Sequence, residues 1–156
     1  MPSNPATRRK RRIILIVILV ILTPIAYAVY SVAYTLNGIP DAYAKWDTAT
    51  LLIEYMEKHD GHWPTGWDDL NETYTTIRNI SHGGMRGSHT FDELKSRIGI
   101  DWHADPTALA NAPGGGNKPP FRVVWALSGN TTVWSSSEPN ELVWYYLREK
   151  RNPPQK

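Results

Sequence analysis

The chain has 156 residues, a formal net charge of +2 and no cysteine, which suits one modest globular domain with accessory segments and excludes disulfides, thiolate catalysis and Cys-type zinc sites. Five of its 17 basic residues are Arg8, Arg9, Lys10, Arg11 and Arg12, all before the first acidic residue, Asp41; the rest of the chain sets 12 basic against 15 acidic residues. The basic balance therefore belongs to an N-terminal tag, and no nucleic acid is expected as a partner, because that needs Lys and Arg clustered on the folded part.

After the cations comes "IILIVILVILTPIAYAVYSVAY", residues 13–34, which are 22 residues without a charge. At the helical rise they extend about 33 Å, enough for a hydrocarbon core of about 30 Å. Cations before an apolar span stay on the cytoplasmic side. Residues 1–12 then read as a basic cytoplasmic tail, 13–34 as a transmembrane helix in the lipid bilayer, and the remainder as extracytoplasmic. Tyr27, Tyr30 and Tyr34 gather at the outer end, as an aromatic belt does. A cleaved signal peptide is the alternative. Its apolar region would be Ile13–Leu22, with Pro24 ahead of a small-residue site at Ala26-Tyr27-Ala28 and residues 1–28 removed. The uncleaved anchor is preferred, because the apolar run outlasts the roughly 7–15 residues of a signal peptide and passes the cleavage site.

"NGIP", residues 37–40, predicts a break. Ala42, Trp46, Ala49, Ile53 and Met56 then recur at helical spacing, widened by Leu52 and Tyr55. Lys45, Asp47, Glu54, Glu57 and Lys58 fall largely elsewhere. This predicts an amphipathic helix of about five turns. It ends at Gly61, and Pro64 prevents its return. Thr65 or Gly66 caps a short turn through Trp67–Leu70, with Asp68 and Asp69 in its first turn. "HGGMRGSH", 82–89, is a Gly-rich loop without the spacing of a phosphate loop. Thr90-Phe91-Asp92-Glu93 has capping-box form and starts a short helix ending near Gly99. "IDWHAD", 100–105, alternates like a strand closed by Pro106. "NAPGGGNKPP", 111–120, is a loop, and "FRVVWALS", 121–128, reads as the best strand. Gly129-Asn130 signals a hairpin to a return strand at 131–136. Leu142, Val143, Tyr146 and Leu147 predict a C-terminal helix, and 151–156 a disordered tail.

An apolar N-terminal helix containing Pro24, a long amphipathic helix and the corner built from Leu52, Tyr55, His59, Gly61, His62, Trp63, Pro64 and Leu70 together resemble the type II secretion pseudopilins, and more broadly the type IV pilin-like proteins. The resemblance covers roughly residues 13–70. It implies an α+β fold: a transmembrane helix, a long amphipathic helix, and a small antiparallel β-sheet with short helices, making residues 35–150 a pilin-like extracytoplasmic domain. It also implies a bacterium and hence the cell inner membrane, with the domain in the periplasm. Prepilins carry a Gly before a Phe/Met-Thr-Leu-x-Glu start; "RRKRRIILIV" has neither that Gly nor the Glu, and "SSSEPNELVW" does not match the calcium loop of the major pseudopilin.

Several clusters bear on chemistry. Asp101, His103 and Asp105 share one face if they lie on a strand, and oxygen and imidazole ligands there suit a divalent ion. The plainer reading is the solvent side of a half-buried strand. His59, Asp60 and His62 are a second metal candidate, but Gly61 breaks the helix between the histidines. His82 and His89 flank glycines with no nucleophile paired to a base. Ser81, Ser88 and Ser135–Ser137 lack a nucleophile-elbow form. Asp68 and Asp69 are adjacent on a helix and point apart. Asn71, Asn79 and Asn130 head formal glycosylation sequons, which the bacterial resemblance makes accidental. The expectation is a non-enzymatic, single-pass membrane protein with a structural or interaction role, no catalytic or metal residues and no cofactor. Its expected partners are the bilayer, through 13–34, and other membrane or envelope proteins. A component of a type II secretion or pilus-like assembly is one alternative, and a small exported metal-binding protein or enzyme is the other.

Overall fold

The computed structural model describes residues 5–79, 85, 87–113, 121–129 and 138–151. The chain is mostly helical. Helix α1 runs Pro5–Lys58 through Gly38 and Pro40, so the expected break at 37–40 does not occur. Pro40 removes one helical hydrogen bond, to the Leu36 carbonyl, but its fixed φ is helical. A Cβ at Gly38 would meet nothing within 4 Å, so no neighbour forces the chain aside there. The chain divides at this step into two compact units, Met1–Asn37 and Gly38–Lys156.

In the first unit every side chain from Ile18 to Leu36 is exposed, apolar ones such as Leu19 and Val20 included. The two threonine hydroxyls turn inward: Thr23 donates to the Leu19 carbonyl at 2.7 Å and Thr35 to the Ser31 carbonyl at 2.9 Å. Polar groups satisfied within their own helix are what hydrocarbon surroundings require. Tyr30 and Tyr34 stack at 6.3 Å. Here, near the N-terminus, lies one helix long and apolar enough to cross a membrane.

The second unit is built around the C-terminal part of α1. Every residue from Ala44 to Met56 is buried or half-buried. Trp46, Ala49 and Met56 of the predicted stripe are buried, and Leu51 and Leu52 are fully so. The helix is covered on more than the one face that its apolar spacing suggests, because Lys45 and Asp47 are buried as well. The helix ends as a left-handed reversal. Asp60 has φ 53° and Gly61 has φ 83°, and the Gly61 N–H donates to the Met56 carbonyl at 2.8 Å. The left-handed stretch thus begins one residue earlier than the glycine alone suggests.

Helix α2, Trp67–Asn79, is much longer than the predicted turn. Leu70, Thr73 and Ile77 are its buried residues, one every three or four positions, so tertiary packing extends it. Helix α3, Phe91–Arg97, has both arms of the predicted capping box between Thr90 and Glu93. Strand β1 is Ile98–Ile100 and β2 is Val124–Ala126; they pair antiparallel, Ile98 opposite Ala126 and Ile100 opposite Val124. The Trp125 indole fills the place that a Cβ on Gly99 would take. Strand β2 is shorter than the predicted 121–128, and β1 takes up Ile98 and Gly99, expected at the end of the preceding helix, sharing only Ile100 with the predicted strand at 100–105. At 100–105 the chain leaves the sheet after Ile100, because the Asp101 carboxylate accepts the His103 N–H at 3.1 Å and turns the backbone. Asp105 then caps α4, Pro106–Asn111, with Pro106 in its first turn rather than closing a strand. The predicted hairpin partner at 131–136 lies outside the described residues, as does 114–120 of the loop predicted at 111–120, whose first residue, Asn111, is the last of α4.

Helix α5, Pro139–Arg151, is the predicted C-terminal helix and includes Arg151, which the sequence assigned to the tail; 152–156 lie outside the described residues. Val143, Trp144 and Leu147 are buried. Asn140, at the start of α5, fastens the sheet. Its Oδ1 accepts the N–H groups of Val123 and Val124 at 2.9 and 2.8 Å, and its Nδ2 donates to the Val124 carbonyl at 3.1 Å.

Candidate functional site

Among the described residues, buried charges gather on α1, at Asp41, Lys45 and Asp47. Asp41 accepts from Arg97 Nη1 at 3.1 Å and from Ser128 Oγ at 2.6 Å. Lys45 Nζ lies 3.5 Å from Glu138 Oε1. Asp47 is fully buried; its two oxygens accept the Gly87 N–H at 3.2 and 2.9 Å, and His89 Nδ1 is 3.7 Å from Oδ2. Each charge therefore ties a different part of the chain to one helix: the end of α3 and the turn after β2, the entry to α5, and the 87–89 loop. Removing the partner of Asp41, Lys45 or Asp47 leaves that buried charge stranded. This arrangement holds loops in place. The sequence reading placed Lys45 and Asp47 outside the buried stripe. The signal available was their position on either side of Trp46, inside the helix that carries the core.

The sequence-predicted clusters come apart. Asp101 and Asp105 each accept a backbone N–H two residues on, from His103 and from Thr107. They sit in a turn and at a helix cap, not on a common strand face. Among the described residues no group of three or more His, Cys, Asp or Glu side chains is placed to hold a metal ion. His82 lies outside the described residues, while His89 packs beside Asp47. Asp68 and Asp69 share the first turn of α2, but Asp69 reaches back to Thr65, accepting its N–H at 2.7 Å and its hydroxyl at 2.8 Å. Those two bonds hold the Asp69 carboxyl below its usual value, and the charge of His59 adds to the effect. Glu93 is likewise held down by the N–H and hydroxyl of Thr90. Serines 81 and 135–137 fall outside the described residues, as does Asn130.

In the corner at 59–67 the Pro64 ring is buried, while His59, Asp60 and His62 are exposed. His59 Nδ1 bonds the Tyr55 carbonyl at 2.8 Å, and His62 Nδ1 bonds the His59 carbonyl at 2.7 Å. The His59 ring stacks on Tyr55 at 4.0 Å. Burial, and then the nearby Asp69, push the Tyr55 hydroxyl above its usual value. Trp67 meets Phe91 and Trp102 edge-on at 5.7 and 5.5 Å. An open cleft of about 550 Å³ lies between the end of α1, α4 and α5, with Asp60, Thr107, Tyr146 and Lys150 among its lining. The Tyr146 hydroxyl is buried with no hydrogen-bond partner, and burial followed by Glu57 and Glu54 raises its pKa. With one acid, one amine and two hydroxyls it has no evident nucleophile and base pair.

No family model matches the chain, and neither does any curated protein or solved structure. The functional reading therefore rests on the chain's own residues.

Proposed function

We propose that this is a single-pass inner-membrane protein, anchored through residues 13–34, that displays a small α+β domain outside the cytoplasm in a structural or interaction role without catalysis. The observation that carries this reading is the exposure of every side chain from Ile18 to Leu36 in a segment without a charge. Apolar surface of that extent is not left in water, and a bilayer is its natural cover. Arg8–Arg12 set the direction, with the N-terminus in the cytoplasm. The non-catalytic part of the reading is supported by the use of the buried charges: Asp41, Lys45 and Asp47 are occupied in fastening the domain. A reporter enzyme that works only outside the cytoplasm, fused after Lys156, is expected to be active. Activity of a cytoplasm-only reporter at the same position would sink the proposal.

A second reading, a component of a type II secretion or pilus-like assembly, draws on one feature. The apolar segment and the central helix of the domain belong to a single α1, which ends at the His-x-Gly-x-aromatic-Pro-type corner behind the pilin-like resemblance. Crosslinking in native membranes separates the two: a ladder of regular multimers favours assembly, and a monomer with residues 1–12 intact favours the simple anchor.

A further inference from the structure

His59 and His62 hold the same posture. Each Nδ1 lies against a backbone carbonyl, at 2.8 and 2.7 Å. A carbonyl only accepts, so both Nδ1 atoms carry the proton, and in the neutral ring the lone pair falls on Nε2. Both residues are exposed, and the Tyr55 ring, 17° from parallel with His59, holds that imidazole's plane. An imidazole whose Nδ1–H is tied to a carbonyl is fixed in tautomer and direction, the condition that readies Nε2 to ligate a metal. Asp60 and Gly61, both at positive φ, turn the chain between the two residues. Asp60 lies between them and Lys58 precedes them, while the last carbonyls of α1 point here.

We propose that the His59–His62 corner binds a late first-row divalent ion, Cu²⁺, Ni²⁺ or Zn²⁺, through the two Nε2 atoms, with water filling the remaining positions. Imidazole suits these ions, while magnesium and calcium prefer oxygen cages. Protons compete for Nε2, so binding weakens as the pH falls. The inference does not depend on the membrane anchor.

The test uses the full-length protein in detergent, without a histidine tag, titrated with Cu²⁺ and followed by electron paramagnetic resonance. The expected result is one ion per chain, with hyperfine coupling to two imidazole nitrogens. His59→Ala and His62→Ala should each weaken binding by about tenfold or more, and His103→Ala should leave it unchanged. Equal binding by the wild type and both corner variants would overturn the proposal, as would the absence of stoichiometric binding. A measurement on the unaltered protein guards against misfolded variants: Zn²⁺ should shift the ring nitrogen signals of His59 and His62. Shifts confined to other histidines would overturn it equally.

Discussion

The indole N–H of Trp63 donates to the carbonyl of Asp101 at 2.8 Å, across 38 residues of chain. This bond joins the corner that ends α1 to the turn that follows β1, and it fixes where the chain leaves the sheet. Trp63 also packs against the core cluster. Replacing Trp63→Phe keeps most of the ring and loses the donor, and is expected to cost about 1 kcal/mol. Trp63→Ala loses the packing as well and is expected to cost about 3 kcal/mol. Urea unfolding of both variants, followed by circular dichroism, gives the comparison; equal costs would mean that the ring contributes nothing beyond its hydrogen bond.

Gly87 is wedged between Asp47 and His89. A Cβ there would lie 2.5 Å from Asp47 Oδ2 and 2.5 Å from His89 Nδ1, whereas a Cβ at Gly66 would meet nothing within 4 Å. Gly87→Ala must push the carboxylate or the imidazole away and is expected to destabilise the domain by about 1–3 kcal/mol. Gly66→Ala should stay within about 0.5 kcal/mol of the parent. Thermal unfolding of the pair checks the wedge, and a Gly87 variant as stable as the Gly66 one would refute it.

Asn140 serves two adjacent N–H groups and one carbonyl at the edge of the sheet. Asn140→Ala strands the buried donors of Val123 and Val124, at about 1–3 kcal/mol for each. Asn140→Asp keeps an acceptor but loses the donor to the Val124 carbonyl and to Glu138 Oε1 and sets a second carboxylate beside Glu138, so it too should destabilise the domain near neutral pH. Hydrogen exchange at the Val123 and Val124 amides reports the effect directly. Protection that survives Asn140→Ala would show that another group serves them.

Asp69 and Glu93 are both held below their ordinary values, chiefly by the N–H groups of Thr65 and Thr90. A carboxyl depressed in the folded state adds stability above its unfolded value, and that stability is lost as pH falls through the folded value. The domain should therefore weaken as pH drops below about 4. The double variant Asp69→Asn, Glu93→Gln should be less stable near neutrality and lose less on acidification. Melting temperatures at neutral and acid pH settle this, and parallel slopes for parent and variant would exclude these two groups as the cause.

Local signals carried much of the fold. Thr90 and Glu93 declared their helix because a capping box needs only four adjacent residues. Gly61 and Pro64 marked the end of α1 for the same reason, and the apolar run before Tyr34 stood out by composition alone. What was missed depends on partners far away in sequence. Pro40 has strong breaker character, yet α1 continues through it. Trp67–Leu70 looked like a turn because the rest of α2 is polar; it is buried only through Leu70, Thr73 and Ile77. Lys45 and Asp47 looked solvated, and their burial follows from Glu138, Gly87 and His89, between 40 and 93 positions away. The alternation of 100–105 was real as a pattern, but Asp101 and Asp105 use their carboxylates on neighbouring backbone N–H groups, which a period of two cannot reveal.

The membrane anchor is the central claim, and the lack of native cysteine makes it directly measurable. Ser3→Cys and Ser96→Cys, made singly in the full chain, can be challenged in intact spheroplasts with a maleimide that does not cross membranes. Ser96 is exposed on α3 and should be labelled at once. A cysteine at position 3 should be labelled only after the membrane is opened. Labelling of both positions in sealed spheroplasts, or of position 3 alone, would contradict a single span with its N-terminus in the cytoplasm.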